Sequence, residues 1–319
     1  MGNGASRAVW DKFKYSSLYK EAQKAGRLDA NLVQLFADFK TRDFEYILRL
    51  LSQTSKVNGI INIKEKKSLL LYQNLQEALI ETIRSIHPEA EQVRSLLLPM
   101  AKFMKRFDTV LNLNYDLLVY WAMLEAKNHF GQWFKDGFID EGRFDNNYEY
   151  LWEPYDDADG ATLVFYPHGS LILATDSYGG EIKLSKTGDQ YLLKTILGIW
   201  KEQDNIPLFI SEGAATKKLQ AIRRSNYLKT VYDREVNKVC ESLVVYGWKF
   251  GDQDEHILKG IIKGGVERIA VSVHMVSNDP QTYCEYVNHK VRTMENTLRK
   301  KPESKIYYYD SDSDKVWTN

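Results

Sequence analysis

Short β-rich segments alternate with helical patterns from residue 109 onward, and this alternation limits the fold more than any other feature of the sequence. We predict strands at residues 109–113, 162–167, 171–175, 207–211, 242–247, 268–275 and 305–309. We predict helices at residues 117–127, 190–203, 216–224, 227–241, 254–263 and 280–300. Strands separated by helices are typical of an α/β fold, which here predicts an open, mostly parallel sheet with helices on both faces.

The residues before this region are predicted to be nearly all helical. The predicted helices cover residues 7–25, 31–38, 42–55, 64–87 and 89–107, and Pro88 separates the last two. We therefore expect a single domain over residues 1–319, with a helical insertion at 7–107 and the sheet portion at 108–319. The tail, residues 307–319, is too short to bury a core of its own and predicts a terminal strand with a frayed end.

Charge and hydropathy narrow the classes of function. Lysine plus arginine and aspartate plus glutamate both number 43, which gives a formal net charge of zero. Because phosphate neutralisation dominates the affinity of nucleic-acid binders, this balance argues against a DNA- or RNA-binding protein. No apolar run approaches the roughly 20 residues that cross a bilayer, and the N-terminus lacks the apolar segment of a signal peptide. We expect a cytoplasmic protein with no membrane partner.

The sequence contains two cysteines, Cys240 and Cys284, which are far apart and have no neighbouring cluster of histidines. A structural zinc site needs four ligands, usually supplied as two close pairs. We therefore predict that the protein holds no metal.

Polar residues follow four of the predicted strands, at the edge where ligands bind to open α/β sheets. These strand-end segments are Asn114-Tyr115-Asp116, His168-Gly169, Ser211-Glu212-Gly213 and the residues from Gly247 to His256. Their convergence predicts a ligand site at the carboxyl ends of the strands.

Taken singly, each of these residues has a simpler interpretation. Asn114 and Asp254 are placed to cap the helices that follow them, and His168 is placed to close a turn before a glycine. The segment Gly2-Asn3-Gly4-Ala5-Ser6 precedes a helix and predicts either a cradle of backbone N–H groups for a pyrophosphate or a disordered terminus.

The order of these motifs resembles the sirtuin-like NAD hydrolases of bacterial antiphage defence. The motifs are Gly-Asn-Gly-Ala-Ser, Asn-Tyr-Asp, His-Gly and Gly-(x)₆-Asp-x-His-Ile, and the phrases LNYDLLVYWA, SEGAATKKLQAIRRSNYL and YGWKFGDQDEHI are similar to a bacterial group within that superfamily. The resemblance runs from Gly2 to about Met275 and implies a Rossmann-like sheet. In that superfamily the glycine loop follows a strand, whereas here Met1 directly precedes it. Either the chain begins one strand late or the sheet forms without that strand.

The resemblance also implies roles for particular residues. Asn114 would orient the ribose and a water molecule, His168 would contact the ribose hydroxyls as a base, and Asp116 would hold the loop. The remaining residues would bind the dinucleotide: Gly2, Gly4, Ala5 and Ser6 at the pyrophosphate, Gly247, Asp254 and His256 on the adenosine side, with Tyr115 and Ser211 completing the set. Because nicotinamide leaves as a neutral pyridine, the reaction needs no strong general acid.

The resulting expectation is an NAD⁺ glycohydrolase that releases ADP-ribose and nicotinamide as the effector of an abortive-infection system. NAD⁺ is then a substrate, and a separate sensor protein, possibly nucleotide-binding, controls the enzyme within an oligomer or hetero-complex. The alternatives are a catalytically silent NAD- or ADP-ribose-binding module and an NAD-dependent protein deacylase, although the deacylases carry a four-cysteine zinc module. A dehydrogenase is disfavoured because the glycine loop lacks the full Gly-x-Gly-x-x-Gly spacing.

Overall fold

A computed structural model of the chain describes residues 1–14, 17–139, 142–155, 158–176, 179–184, 192–202, 205–210, 212–275 and 279–319. Its described elements are twelve α-helices and nine strands. The helices are α1 (Asn3–Val9), α2 (Leu18–Lys24), α3 (Ala30–Asp38), α4 (Phe44–Ile60), α5 (Lys67–Ile86), α6 (Ala90–Met104), α7 (Leu118–Phe130), α8 (Leu192–Glu202), α9 (Ala215–Arg224), α10 (Asn226–Arg234), α11 (Glu255–Gly264) and α12 (Pro280–Leu298). The strands are β1 (Thr109–Leu111), β2 (Phe134–Lys135), β3 (Thr162–Phe165), β4 (Gly169–Thr175), β5 (Glu181–Lys183), β6 (Ile206–Phe209), β7 (Ser242–Val245), β8 (Arg268–Val273) and β9 (Lys305–Asp310).

The first third of the chain is helical, as predicted, and contains α1 to α6. The single helix predicted at residues 7–25 is wrong, because the described residues there form α1, a 3₁₀ turn at Asp11–Phe13 and α2. The hydroxyl of Ser17 accepts a hydrogen bond from the backbone N–H of Lys20 and so caps a new helix start. None of the described helices is both long enough and apolar enough to cross a membrane.

The strands form three sheets of three strands each, and the predicted α/β class is confirmed. The sheets β1-β3-β2 and β7-β8-β9 are parallel, whereas in β5-β4-β6 the central β4 pairs antiparallel with both neighbours. β3 and β4 are joined by three residues, and the N–H of Gly169 donates to Tyr166 O at 2.8 Å within that turn. A parallel pairing needs a connection of a dozen or more residues, so β4 cannot continue the parallel sheet beside β3.

Met1 and Gly2 lie between the two parallel sheets. The terminal amine of Met1 donates to Leu111 O at 2.6 Å, and Leu113 N donates to Met1 O at 2.9 Å. On the other side, Gly2 N donates to Tyr246 O at 3.0 Å. A two-residue extended segment therefore connects the carboxyl ends of β1 and β7 and takes the position of the strand expected before the glycine loop.

The end of the chain is packed into the core, so the predicted frayed end is wrong. The Trp317 side chain is 1% exposed and lies against Phe103 and Tyr246, with ring centroids 6.2 and 5.8 Å apart. Its indole N–H donates to the backbone oxygen of Ala5 at 2.9 Å, which ties the tail to the glycine loop.

Candidate functional site

The carboxyl ends of β1 and β3 open into a cavity of about 210 Å³, which we call the small cavity. Six of the predicted site residues line it: Gly2, Asn114, Tyr115, Asp116, His168 and Asp254. Residues that follow β1 and β3 therefore meet here with Asp254, as the strand-end argument predicts for these positions. Pockets for drug-sized ligands measure roughly 300–1,000 Å³, so the small cavity alone holds only part of a dinucleotide.

Asn114 does not cap the helix that follows it. Helix α7 begins at Leu118, and the Asn114 side chain instead donates from Nδ2 to Gly2 O at 2.9 Å. The buried side chain of Asn112 holds the loop, since its Oδ1 accepts from Asn114 N at 3.2 Å and its Nδ2 donates to Asn114 O at 3.1 Å. These contacts place the Asn114 carboxamide at the wall of the small cavity, beside the glycine loop.

Asp116 holds the same loop, in agreement with its predicted role. One carboxylate oxygen accepts from the backbone N–H of Leu118 at 3.0 Å, and the other accepts from the hydroxyl of Ser6. Burial raises the pKa of Asp116 to about 6, while the hydrogen bonds from Ser6 and Leu118 act in the opposite direction. Ser6 is therefore engaged in positioning Asp116 and does not face a ligand.

His87 also supports the loop that Asp116 holds. This role was not predicted from the sequence, because the neighbouring Pro88 indicates only a helix boundary. The backbone N–H of Leu117 donates to His87 Nε2 at 3.0 Å, and His87 Nδ1 lies 2.8 Å from Pro88 O. Nε2 is thus the acceptor and Nδ1 carries the proton. Burial lowers the pKa of His87 to about 4, so the ring is neutral at pH 7.

This histidine leads to a prediction about pH. Because its pKa falls from about 6.5 in the unfolded chain to about 4 in the folded chain, the stabilisation is complete above pH 6.5 and declines as the pH falls to about 4. In that window His87 contributes a slope of about 1.4 kcal/mol in the free energy of unfolding per pH unit. We expect His87→Gln to show a correspondingly shallower decline in urea unfolding between pH 6.5 and 4.5. The exposed His129→Gln should retain the wild-type slope, and an unchanged slope in His87→Gln would contradict the assignment.

His168 and His256 are in direct contact. Their Nε2 atoms lie 2.9 Å apart, so one ring donates to the other. The His168 ring also hydrogen-bonds the backbone of Leu113, whereas Nδ1 of His256 is buried with no partner among the described residues. Burial and the positive charge of Lys218 hold the pKa of His168 well below its usual range, and burial lowers that of His256 to about 4. Both rings are neutral at pH 7, which is consistent with His256 donating to His168.

Asp254 carries the negative charge next to this pair. The buried Lys218 donates from Nζ to Asp254 Oδ1 at 2.9 Å, and the same oxygen lies 4.0 Å from His168 Nε2. Burial raises the pKa of Asp254, but the attraction of His168 and Lys218 outweighs it and lowers the pKa. Asp254 makes no side-chain cap to α11, so the capping interpretation is wrong.

Lys218 was missed because the run Thr216-Lys217-Lys218 is typical of a solvated helix face. The Lys218 side chain is only 5% exposed because α9 packs near the start of α11. The sequence pattern does not predict this packing.

A larger groove of about 980 Å³ lies on the other side of the glycine loop. Gly4 and Gly247 line this groove, and Trp248 and Gln253 line both the groove and the small cavity. The predicted grouping of Gly247 with Asp254 and His256 is therefore not observed. Gly247 lines the large groove, whereas Asp254 lines the small cavity and His256 is hydrogen-bonded to His168.

The glycine loop packs tightly against residues 246–248, and this explains its composition. Gly4 N donates to Gly247 O at 2.7 Å, and a Cβ on Gly4 would lie 2.7 Å from Gly247 Cα. Gly2 N donates to Tyr246 O and Ala5 N to Gly2 O. The predicted pyrophosphate cradle is thus wrong for these three N–H groups, because each already has a backbone acceptor.

Two further predicted residues have different outcomes. Ser211 lies outside the described residues. Tyr115 stacks on Phe209, with ring centroids 4.9 Å apart, and its buried hydroxyl has no partner in the described part of the chain. Glu212 follows the same predicted strand as Ser211 and has no predicted role. Its carboxylate accepts a hydrogen bond from the Ser17 hydroxyl at 2.9 Å, and burial raises the pKa of this carboxyl group.

A family model described as a domain of unknown function, DUF4917, matches residues 1–317. The chain belongs to this family. The DUF4917 match spans both the helical third and the sheet portion. It therefore includes the glycine loop, His168, His256 and Trp317. No curated protein matches the chain. Among the described residues, no group of three or more histidine, cysteine, aspartate and glutamate side chains is arranged to hold a metal ion.

Proposed function

We propose that this protein is an NAD⁺ glycohydrolase that releases ADP-ribose and nicotinamide. The observation that supports this most is that Asn114 and His168 line one small cavity at the carboxyl ends of parallel strands. The large groove adjoins the small cavity at the same glycine loop, and its volume of about 980 Å³ adds the room that a dinucleotide with its nicotinamide riboside in the small cavity would need. The proposal also rests on the resemblance to sirtuin-like NAD hydrolases.

The chemistry needs positioning and polar support more than proton donation. As nicotinamide leaves, positive charge develops on the ribose, and the Asn114 carboxamide would hold the ribose and the attacking water. His168 would accept a proton from a ribose hydroxyl or from that water at Nε2, once His256 has released that atom, since its ring is neutral at pH 7. The Asp254–Lys218 pair would keep the cavity polar next to His168.

Measuring nicotinamide release from NAD⁺ tests this proposal. We expect Asn114→Ala and His168→Ala each to lower the rate by about 100-fold, because each removes a group that acts at the reacting ribose. Circular dichroism should remain unchanged, and the exposed His129→Ala is the matched control for His168→Ala. Full turnover by either site variant would rule out its assigned role.

We further propose that the enzyme acts in the cytoplasm, as the NAD-depleting effector of an antiphage system, and that a separate sensor protein controls it. The same assay should therefore be run on the purified chain and on the chain co-expressed with the products of neighbouring genes. A low rate for the chain alone and a higher rate in a co-purifying complex would support control by a partner. A full rate for the isolated chain at every concentration would remove the need for a sensor.

A specific observation favours a second candidate, an NAD- or ADP-ribose-binding module without catalysis. The Nε2 of His168 is already paired with His256, and its low pKa makes it a weak base. NAD⁺ recovered intact after tight binding, in every complex tested, would favour this candidate over the hydrolase.

A further inference from the structure

Two cations without partners face the large groove. Arg7, in the last turn of α1, has a buried Nε and makes no hydrogen bond or ion pair with any described residue. Lys249 is exposed on the opposite loop and likewise has no ionic partner in the described ranges. A buried guanidinium nitrogen without an acceptor is costly, so its retention indicates a ligand that supplies one.

The other acidic and basic side chains that line the groove are already paired. Lys14 forms an ion pair with Asp11 at 2.5 Å, and His274 lies 3.2 Å from Asp312. Asp11 and Asp312 therefore have partners, whereas Arg7 and Lys249 have no ionic partner among the residues that the structure describes. The groove therefore suits an anion, and arginine binds phosphate oxygens through two parallel N–H groups.

Backbone N–H groups of a glycine loop often bind phosphate, but in this protein those of Gly2, Gly4 and Ala5 are not available. These three groups donate to backbone oxygens, so side chains would have to bind a diphosphate in their place. Tyr283 and Tyr286 form a firm wall farther along the groove, since their hydroxyls donate to Trp248 O at 2.8 Å and Phe250 O at 2.9 Å. Aromatic rings held in this way can pack against a nucleobase.

We propose that the large groove binds a nucleoside diphosphate and that Arg7 and Lys249 bind its phosphate oxygens in place of the loop N–H groups. The identification of this ligand with the ADP half of NAD⁺ rests on the proposed function. The binding of a diphosphate by Arg7 does not depend on it.

Calorimetric titration of the full chain with ADP and with adenosine tests the proposal. We expect Arg7→Gln to weaken ADP binding by about 10- to 100-fold and to leave adenosine binding unchanged, because only ADP offers the charged acceptor. Lys249→Gln should have a smaller effect, since its ammonium is exposed and screened by solvent. The matched control is Arg106→Gln, an exposed arginine outside the groove, which should bind ADP like the wild type.

The outcomes separate this proposal from the hydrolase. Loss of ADP affinity in Arg7→Gln without nicotinamide release by the wild type, alone or in any complex tested, would support the diphosphate site and contradict the hydrolase. Nicotinamide release by the wild type with unchanged ADP affinity and KM in Arg7→Gln would overturn the diphosphate site alone. Failure of the wild type to bind ADP at millimolar concentration would also overturn it.

Discussion

Replacing Trp317 with alanine is expected to lower the free energy of unfolding by about 3–5 kcal/mol. The substitution empties a fully buried space between Phe103 and Tyr246, and neighbouring side chains relax only partly into such a space. It also leaves the backbone oxygen of Ala5 without its buried donor. Urea unfolding followed by circular dichroism measures the effect.

Two further variants divide this loss into its parts. Trp317→Phe keeps most of the volume but removes the N–H, so it should cost less than alanine. Trp152→Ala is the matched control, because that side chain is 38% exposed, and it should change the free energy of unfolding by under about 1 kcal/mol. A loss for Trp317→Ala no larger than that of Trp152→Ala would show that the tail is not part of the core.

Gly247→Ala is expected to destabilise the protein by about 4 kcal/mol, which is large for a single added methyl group. The residue has φ +66°, a conformation that alanine adopts with strain. Its Cβ would also lie 2.3 Å from Ala5 N and 2.7 Å from Gly4 C, so the glycine loop would have to move away. That movement would break the hydrogen bond from Gly4 N to Gly247 O.

Gly265→Ala separates the cost of backbone strain from the cost of a steric clash at the added Cβ. Gly265 has φ +95°, but no atom lies within 4 Å of the position of its added Cβ. We expect this variant to cost only about 1 kcal/mol in thermal or urea unfolding. Equal losses for the two variants would mean that backbone conformation alone explains Gly247, and the close contact between the two loops would then have no energetic role.

The sequence predicts the fold class well because its signals are local. Periodicity over a few residues predicts β8, β9 and α12 nearly to their ends, and Pro88 correctly separates α5 from α6. The direction of β4 was not predicted, because the composition of a β-rich run does not say which strand it pairs with. Only the three-residue connection to β3 carries that information, through the length that a parallel crossover requires.

The site was predictable where residues follow strands and not where helix packing brings them in. Asn114, Asp116 and His168 meet because the carboxyl ends of parallel strands meet, which the strand order implies. Lys218 and His87 reach the site from helix α9 and from the end of α5, and nothing in their local sequence indicates burial. The glycine motif was misinterpreted because its glycines accommodate the backbone of Gly247, a partner far away in sequence.

The hydrogen bond between Trp317 and Ala5 joins residues at opposite ends of the sequence. During synthesis the glycine loop leaves the ribosome long before the indole that packs beneath it, because the two residues are 312 positions apart. Contacts of such high sequence separation form late, after the entropy of closing the intervening chain has been overcome. The groove and the small cavity share this loop, so both reach their final form only after Trp317 has been made. A ribosome-bound chain that stops before residue 317 should therefore lack a finished ligand site.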